Sequence, residues 1–352
     1  MKLGSIENYV LFEDVEMKGH LTLYELKEVN QFQKNGFVFI PYLNTQKAKP
    51  KPHYFAIHKK QNFQFPKNTI SHQHFELQAK TSKLNYIHQV EKIKKQIQLG
   101  NVYEINYCIE FFCDEVELDP LFTFISLQAI AKAPYAILFK HQNDYIISAS
   151  PELYLKKQGL QLSSKPIKGT IKRGANVQED EKLKNHLFNS LKERTENVMA
   201  VDVSRNDLSM IAKKGTVSVN KLYNIESFET VHQMVSTVSC EIRNDITFEK
   251  IIEASFPMAS MTGAPKLSAM NLIDEFENFE RKSYSGTMGL IDENGDFELS
   301  VIIRSVFYNQ QSKRLSIAVG GAITHLSDPE IEYEECLLKA QTMLRSLGAS
   351  IK

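Results

Sequence analysis

Near the C-terminal end, "EIEYEECLLKAQTML" sets Glu332, Glu335 and Lys339 three and four residues apart, on one face of a helix. Two carboxylates one turn apart can hold a hard cation through oxygen ligands. The same spacing also suits a solvated face carrying an acid–base pair. The preceding "AVGGAIT" ends an apolar strand in Gly320-Gly321, which brings bare backbone N–H groups up to the acidic helix. A third carboxylate, Glu196, stands in "RTENVMAVDVSRNDLSMIA" beside apolar Val198, Met199 and Val201. It is either a boundary residue or a functional acid. Asp202, Arg205 and Asp207 in the same segment read as an ion-pair or capping group that closes the helix.

Other candidates are cationic or lie at turns. "SSKPIKGTIKRG" carries four cations in twelve residues, with Pro166, Gly169 and Gly174. It reads as a loop, in which Lys168 is either an ordinary solvated lysine or an amine presented to a ligand. Thr262-Gly263-Ala264-Pro265-Lys266 is a small-residue turn opening a helix. Such a turn can bind an anion, although similar turns are common. His232, in strand-like "ETVHQMVSTVS", suits a satisfied core histidine or a functional one. Arg304 sits in a strand that is apolar on both faces. A buried arginine stays charged and needs an anionic partner, either a local carboxylate or a bound one.

The elements that must position these groups are partly explicit. Residues 83 to 99 have helical spacing and stop at Gly100. "VYEINYCIEFF", "YAILFK", "DYIISAS" and "LYLKK" are strand candidates. A long helix is expected from about Gln178 to Met199, and another over "TFEKIIEAS". From Thr287 to Thr324 the pattern predicts three strands joined by two tight turns, the first carrying Asn294-Gly295. A final helix opens at "SDPE", where Ser327 or Asp328 can cap, Pro329 fits the first turn and Glu330 completes a capping-box spacing from Ser327. The first 50 residues mix short strands with a Lys/Pro-rich tail, "NTQKAKPKPHYFAI", that reads as an exposed loop. Strict βαβ alternation is absent, so the expected class is α+β, with antiparallel sheets covered by helices.

Composition narrows the partners. The 352 residues carry 42 basic and 42 acidic side chains, a balance that argues against nucleic acid or an anionic membrane as the main partner. No apolar run approaches the roughly 18 residues of a membrane span. The start lacks signal-peptide layout, so a cytoplasmic location is expected. Cys108, Cys113, Cys240 and Cys336 show neither metal nor disulfide spacing and read as reduced thiols.

Six ordered motifs then resemble the chorismate-utilising enzymes. They are "SPELYL", "PIKGT", "ENVMAVDVSRNDL", "FPMASMTGAPK", "RKSYSGTMGLI…SVIIRS" and "GGAITHLSDPEIEYEECLLKA", which span about Lys83 to Leu347. The resemblance implies a layered α/β/β/α sandwich of two mainly antiparallel sheets. It also implies a short strand-rich segment over 1–80 and a chorismate-binding catalytic domain over 81–352. Within the family, anthranilate synthases have alanine at the third position of "PIAGT". The lysine form, "PIKGT", is similar to aminodeoxychorismate synthase component I.

That likeness implies Lys168 as covalent nucleophile, Glu152 as general acid or base and His232 in proton transfer. Glu196 and Glu335, with Glu332 nearby, would hold Mg²⁺. Arg304 and Tyr284 would bind the enolpyruvyl carboxylate, and Thr262, Gly263, Gly320, Gly321 and Lys339 would complete the substrate pocket. Ammonia would come from a separate glutamine amidotransferase subunit. The nucleophile must be neutral, so desolvation and nearby cations, including Mg²⁺, are expected to lower its pKa. The sequence departs from the family pattern at Met258-Ala259, Ala322 and His325. Glu104 stands where many relatives have glutamine, and isochorismate synthases use a lysine in that region. The shortened N-terminal region carries over no tryptophan site. Anthranilate synthase, isochorismate synthase and a non-catalytic chorismate-binding regulatory subunit are the alternatives.

Overall fold

A computed structural model describes residues 3–13, 20–42, 50–64, 74–229 and 231–352. Strands β1 (Asn8–Glu13), β2 (Leu21–Val29), β3 (Gly36–Ile40), β4 (His53–Phe63) and β5 (Glu76–Ala79) precede helix α1 (Lys83–Gln98). Next come β6 (Glu104–Cys113), α2 (Pro120–Ala131), β7 (Tyr135–His141), β8 (Asp144–Ser150), β9 (Leu153–Gln158), β10 (Gln161–Ser164) and β11 (Ile167–Lys172). The middle of the chain holds α3 (Val177–Asn189), α4 (Leu191–Ser209), β12 (Ser218–Ser227), β13 (Val231–Glu241) and α5 (Phe248–Ser255). The last third holds β14 (Gly263–Ala264), α6 (Lys266–Phe276), β15 (Thr287–Ile291), β16 (Phe297–Val301), β17 (Ser305–Asn309), β18 (Arg314–Ile323), α7 (Pro329–Leu347) and β19 (Ser350–Ile351).

The class is α+β, with layers of helix, sheet, sheet and helix. The two expected sheets are halves of one ladder. One half runs β6–β18–β17–β8–β7–β1, and β1 continues it through β2–β4–β3–β15–β16–β9–β10–β13. These pairings are antiparallel; β5–β19 is parallel. An aromatic interior of Phe37, Phe39, Phe55 and Phe139 lies between the halves. On one outer side α1, α2, α6 and α7 bury Tyr86, Phe124, Ala269 and Met343, with α1, α6 and α7 against β6 and β18 and α2 against β7 and β8. On the other, α4 and α5 bury Val201, Leu208 and Ile251 against β9, β10 and β13. Strands from residues 1–80 pair with later ones (β1 with β7, β3 with β15, β5 with β6), so this segment is woven into the ladder.

Several local expectations change. The helix expected over 178–199 is two helices, because Ser190 ends α3 and caps α4 by accepting the Glu193 N–H. Helix α4 runs on to Ser209, so Asp202, Arg205 and Asp207 lie inside it. The doubly apolar C-terminal strand breaks at residues 302–304. Its first half pairs with β9 and β15 and its second with β8 and β18, and Arg304 turns the corner at φ +52°. Helix α7 is capped by Asp328, which accepts the Glu330 and Ile331 N–H groups. Ser327 instead accepts the Thr324 N–H, so the capping box does not form. Residues 44–49 of the expected exposed tail lie outside the described residues, while its end from His53 belongs to β4.

Candidate active site

Helices α4 and α7 face the strand ends of β11 and β18 across a cavity of about 630 Å³. Lys168 enters it from a strand, where a loop was expected. Between Ile167 and Thr170 the β11–β13 register slips, so Lys168 and Gly169 together oppose Met234. A bulge of this kind re-aims a side chain. Gly169 has φ +85°, and a Cβ there would lie 2.8 Å from Glu193 Oε2, so glycine is required. Lys168 is only 8% exposed, and its amine donates to Glu104 Oε1 at 2.5 Å. Burial pulls the amine toward neutrality, but Glu104, Glu196 and Glu152 outweigh it and leave the pKa raised. The charges around the amine are mainly carboxylates, which favour the ammonium form.

The acids differ in their surroundings. Glu152 is buried at the start of β9, and burial pushes its carboxyl up to about 7. The Ser260 hydroxyl, the Lys168 charge and the Ile167 N–H offset this only in part. Burial also drives Glu196 up to about 8, against the pull of Lys168 and with Glu104 and Glu193 adding to the rise. Its Oε1 is buried and accepts no hydrogen bond. Across the cavity Glu332 accepts the Lys192 ammonium at 2.9 Å, and Lys192 stands 3.9 Å from Glu196. Glu335 pairs with Lys339 at 2.7 Å. A buried carboxylate oxygen without a hydrogen bond, in a cavity that Glu193, Glu332 and Glu335 also line, offers the oxygen ligands a hard divalent cation prefers. Glu196 and Glu335 would hold it, with Glu332 adjacent and Lys192 nearby.

The opposite wall is built for an anion. Arg304 lines the cavity, and the backbone corner aims its side chain there. Its guanidinium donates to the Lys339 carbonyl at 3.1 Å, and among the described residues it forms no ion pair with a carboxylate. Tyr284 lies beside it, buried. Lys339 donates to the Gly320 carbonyl at 2.8 Å. The two glycines serve different ends. A Cβ on Gly320 would collide with Cys108 Sγ at 2.3 Å, whereas one on Gly321 would crowd Glu332 and Lys339 inside the cavity.

Three expected residues do not line this cavity. His232 alternates with Val231 and Gln233 along β13; those two face the cavity and His232 faces away. It is 1% exposed and bonded to Asp180 and Ser227, and Asp180 also takes Arg173 bidentately. Those partners engage both ring nitrogens and hold the imidazole behind the cavity wall. Thr262 is fully buried, with its hydroxyl donating to Met258 O, and Gly263 pairs with Ile105 in the ladder. The α6 start does not offer an open anion site either. Lys266 is turned inward onto Asp207 at 2.6 Å, so Asp207 is a buried ion partner and not a cap. Conversely, Glu104 and Lys192 belong to the site although neither was singled out for it. Glu104 was visible only as a departure from a family pattern.

Residues 22–345 match the family described as chorismate binding enzyme. The chain belongs to that family. An aminodeoxychorismate synthase of Arabidopsis thaliana is 41% identical over 264 residues, 74% of this chain and 28% of the relative. An anthranilate synthase component 1 of Acetivibrio thermocellus is 34% identical over 266 residues, 76% of this chain and 53% of the relative. The chain thus spans about half or less of the length of these curated relatives. A solved isochorismate synthase of Bacillus anthracis superposes with a TM-score of 0.79 at 21% identity, covering 98% of this chain and 97% of that one, which shows the shared fold. No helix among the described residues is long and apolar enough to cross a membrane.

Proposed function

We propose that this chain aminates chorismate at carbon 4, with Lys168 as a transient covalent nucleophile. The observation that carries this reading is the buried Lys168 amine, aimed into the cavity by a β-bulge and held by Glu104. An anthranilate-forming site has no use for a nucleophile there, because ammonia adds directly at carbon 2.

Lys168 first loses a proton, and Glu104 is the acceptor already at contact distance. The neutral amine then forms a bond to carbon 2, both ring double bonds shift in concert (carbons 1–2 to 1–6, and carbons 5–6 to 4–5), and the carbon-4 C–O bond breaks. Glu152, which keeps its proton up to about pH 7, donates it to the departing hydroxyl and water leaves. Ammonia next bonds to carbon 4, both double bonds shift back to carbons 5–6 and 1–2, and the carbon 2–lysine bond breaks. The amine is thereby regenerated, and Glu152 recovers a proton from the added ammonia. The balance is chorismate plus ammonia giving 4-amino-4-deoxychorismate plus water, one difficult substitution split into two. Arg304 and Tyr284 hold the enolpyruvyl carboxylate, while Glu196 and Glu335 would hold Mg²⁺. Such an ion would supply positive charge beside the substrate's carboxylates. Ammonia arrives from a separate glutaminase partner, and the product leads toward 4-aminobenzoate and folate.

Product analysis with chorismate, Mg²⁺ and ammonium tests the reading. 4-Amino-4-deoxychorismate is expected from the unaltered chain. Lys168→Ala should lose it, with traces of anthranilate from direct attack at carbon 2. Anthranilate or isochorismate as the main product of the unaltered chain overturns the assignment, and normal amination by Lys168→Ala overturns the covalent step.

A further inference from the structure

Three polar side chains gather at one mouth of the aromatic interior, and none of them lines the active-site cavity. Along β7, Ile137, Phe139 and His141 alternate onto one face; along β4, Phe55 and His53 do so; along β2, Leu26 and Glu28. Leu26, Phe55, Ile137 and Phe139 all face the interior. Glu28, His53 and His141 therefore occupy the next inward positions on three strands. Strand β1 separates β2 from β7 but pairs with β2 only from Tyr9, opposite Glu25. Beyond that point Glu28 can reach across to His141.

The donor atoms converge. Glu28 Oε1 lies 3.0 Å from His53 Nδ1, and its Oε2 lies 3.1 Å from His141 Nε2. One ligand atom from each residue falls within 4.8 Å of the others. The rings are also held in place. His53 stacks on Phe39 at 5.6 Å, and His141 stacks on Phe139 at 6.2 Å with its edge against Phe55.

We propose that Glu28, His53 and His141 form a Zn²⁺ site, distinct from the cation site in the cavity. Two imidazole nitrogens and one carboxylate suit zinc, whereas Mg²⁺ and Ca²⁺ prefer oxygen ligands. Bonds of about 2 Å place tetrahedral ligand atoms roughly 3.3 Å apart. Each imidazole nitrogen lies 3.0 or 3.1 Å from one of the two Glu28 oxygens, and the three ligand atoms lie within 4.8 Å of one another, so small side-chain rotations would close the set on an ion. The fourth position opens to solvent, since Glu28 and His53 are 40% and 37% exposed. A bound ion would tie β2, β4 and β7 together where the β1–β2 pairing gives out.

The test uses the full chain, stripped with chelator and returned to saturating Mg²⁺. Zn²⁺ is then titrated against a competing chromophoric chelator, and Co²⁺ is used as the visible-spectrum probe. One equivalent per chain is expected, together with a Zn²⁺-dependent rise in thermal midpoint. His53→Gln with His141→Gln should weaken binding more than about 100-fold, beyond the cost of losing an outer-shell partner. Glu196→Gln should leave it unchanged. Glu28→Gln serves as a second variant if circular dichroism shows the double one misfolded. Absence of stoichiometric Zn²⁺, or binding that persists in the ligand variants, overturns the site and leaves a hydrogen-bonded plug.

Discussion

Lys168 on the cavity wall and Glu104 buried behind it, 64 residues apart in sequence, share a 2.5 Å hydrogen bond. The pair keeps the amine in its ammonium form at rest and places a proton acceptor against it. Glu104→Gln keeps a side chain of the same shape but removes the acceptor. The rate of lysine-adduct formation without ammonia, followed by intact-protein mass spectrometry, should then fall about 100-fold or more. An unchanged rate would move Glu104 out of the chemistry.

Glu152 gives the pH dependence a falling limb. Its carboxyl sits near 7 because it is buried, so the acid form is available below that pH and depleted above it. Turnover limited by loss of the carbon-4 hydroxyl should decline as pH rises through about 7. Glu152→Gln should remove that limb along with most of the rate. The same proton is bound more tightly in the folded than in the unfolded chain. Its stabilising contribution is therefore complete below the unfolded pKa and fades as pH climbs toward 7. A limb that survives in Glu152→Gln belongs to another group.

Lys192 stands where it competes with a cation, 2.9 Å from Glu332 and 3.9 Å from Glu196. Lys192→Met should tighten Mg²⁺ binding roughly fivefold, the effect of relieving about 1 kcal/mol of charge competition. Glu196→Gln and Glu335→Gln should weaken it well beyond that. Calorimetric titration with Mg²⁺ alone reads both. Equal affinity in all four proteins would remove the metal assignment.

Arg304→Lys retains the positive charge and the same backbone demand at φ +52°, so the fold should lose little. A lysine cannot reproduce bidentate pairing with a carboxylate. The KM for chorismate should rise about tenfold or more, with a thermal midpoint within about 3 °C of the parent. The reverse pattern would make Arg304 a brace for the sheet corner.

What the sequence disclosed depended on the range of the forces involved. Helices α1, α5 and α7 were legible because their signals are local: spacing, a Thr247 cap, a "DPE" start. The corner at Arg304 was invisible, since "SVIIRSVFYN" is continuous strand by composition. Only pairing with strands from opposite halves of the ladder breaks it. Lys168 was readable as an unusual lysine, but its bulge is a register slip against β13 and has no local signature beyond Gly169. Ser190 was ambiguous for another reason, because serine is tolerated within helices as well as at their starts. The placement of His232 behind the cavity wall was not legible, because a motif position does not state which face of a strand is presented.

The first four strands contribute none of the catalytic groups, yet among the described residues they alone join the two halves of the ladder by strand pairing, through β1–β7 and β3–β15. Without them those partners would become bare edges, long and apolar, of the kind that recruit other chains. The N-terminal segment thus acts as a guard against self-association. Trimming this protein to its catalytic motifs would yield an aggregating fragment instead of a minimal enzyme.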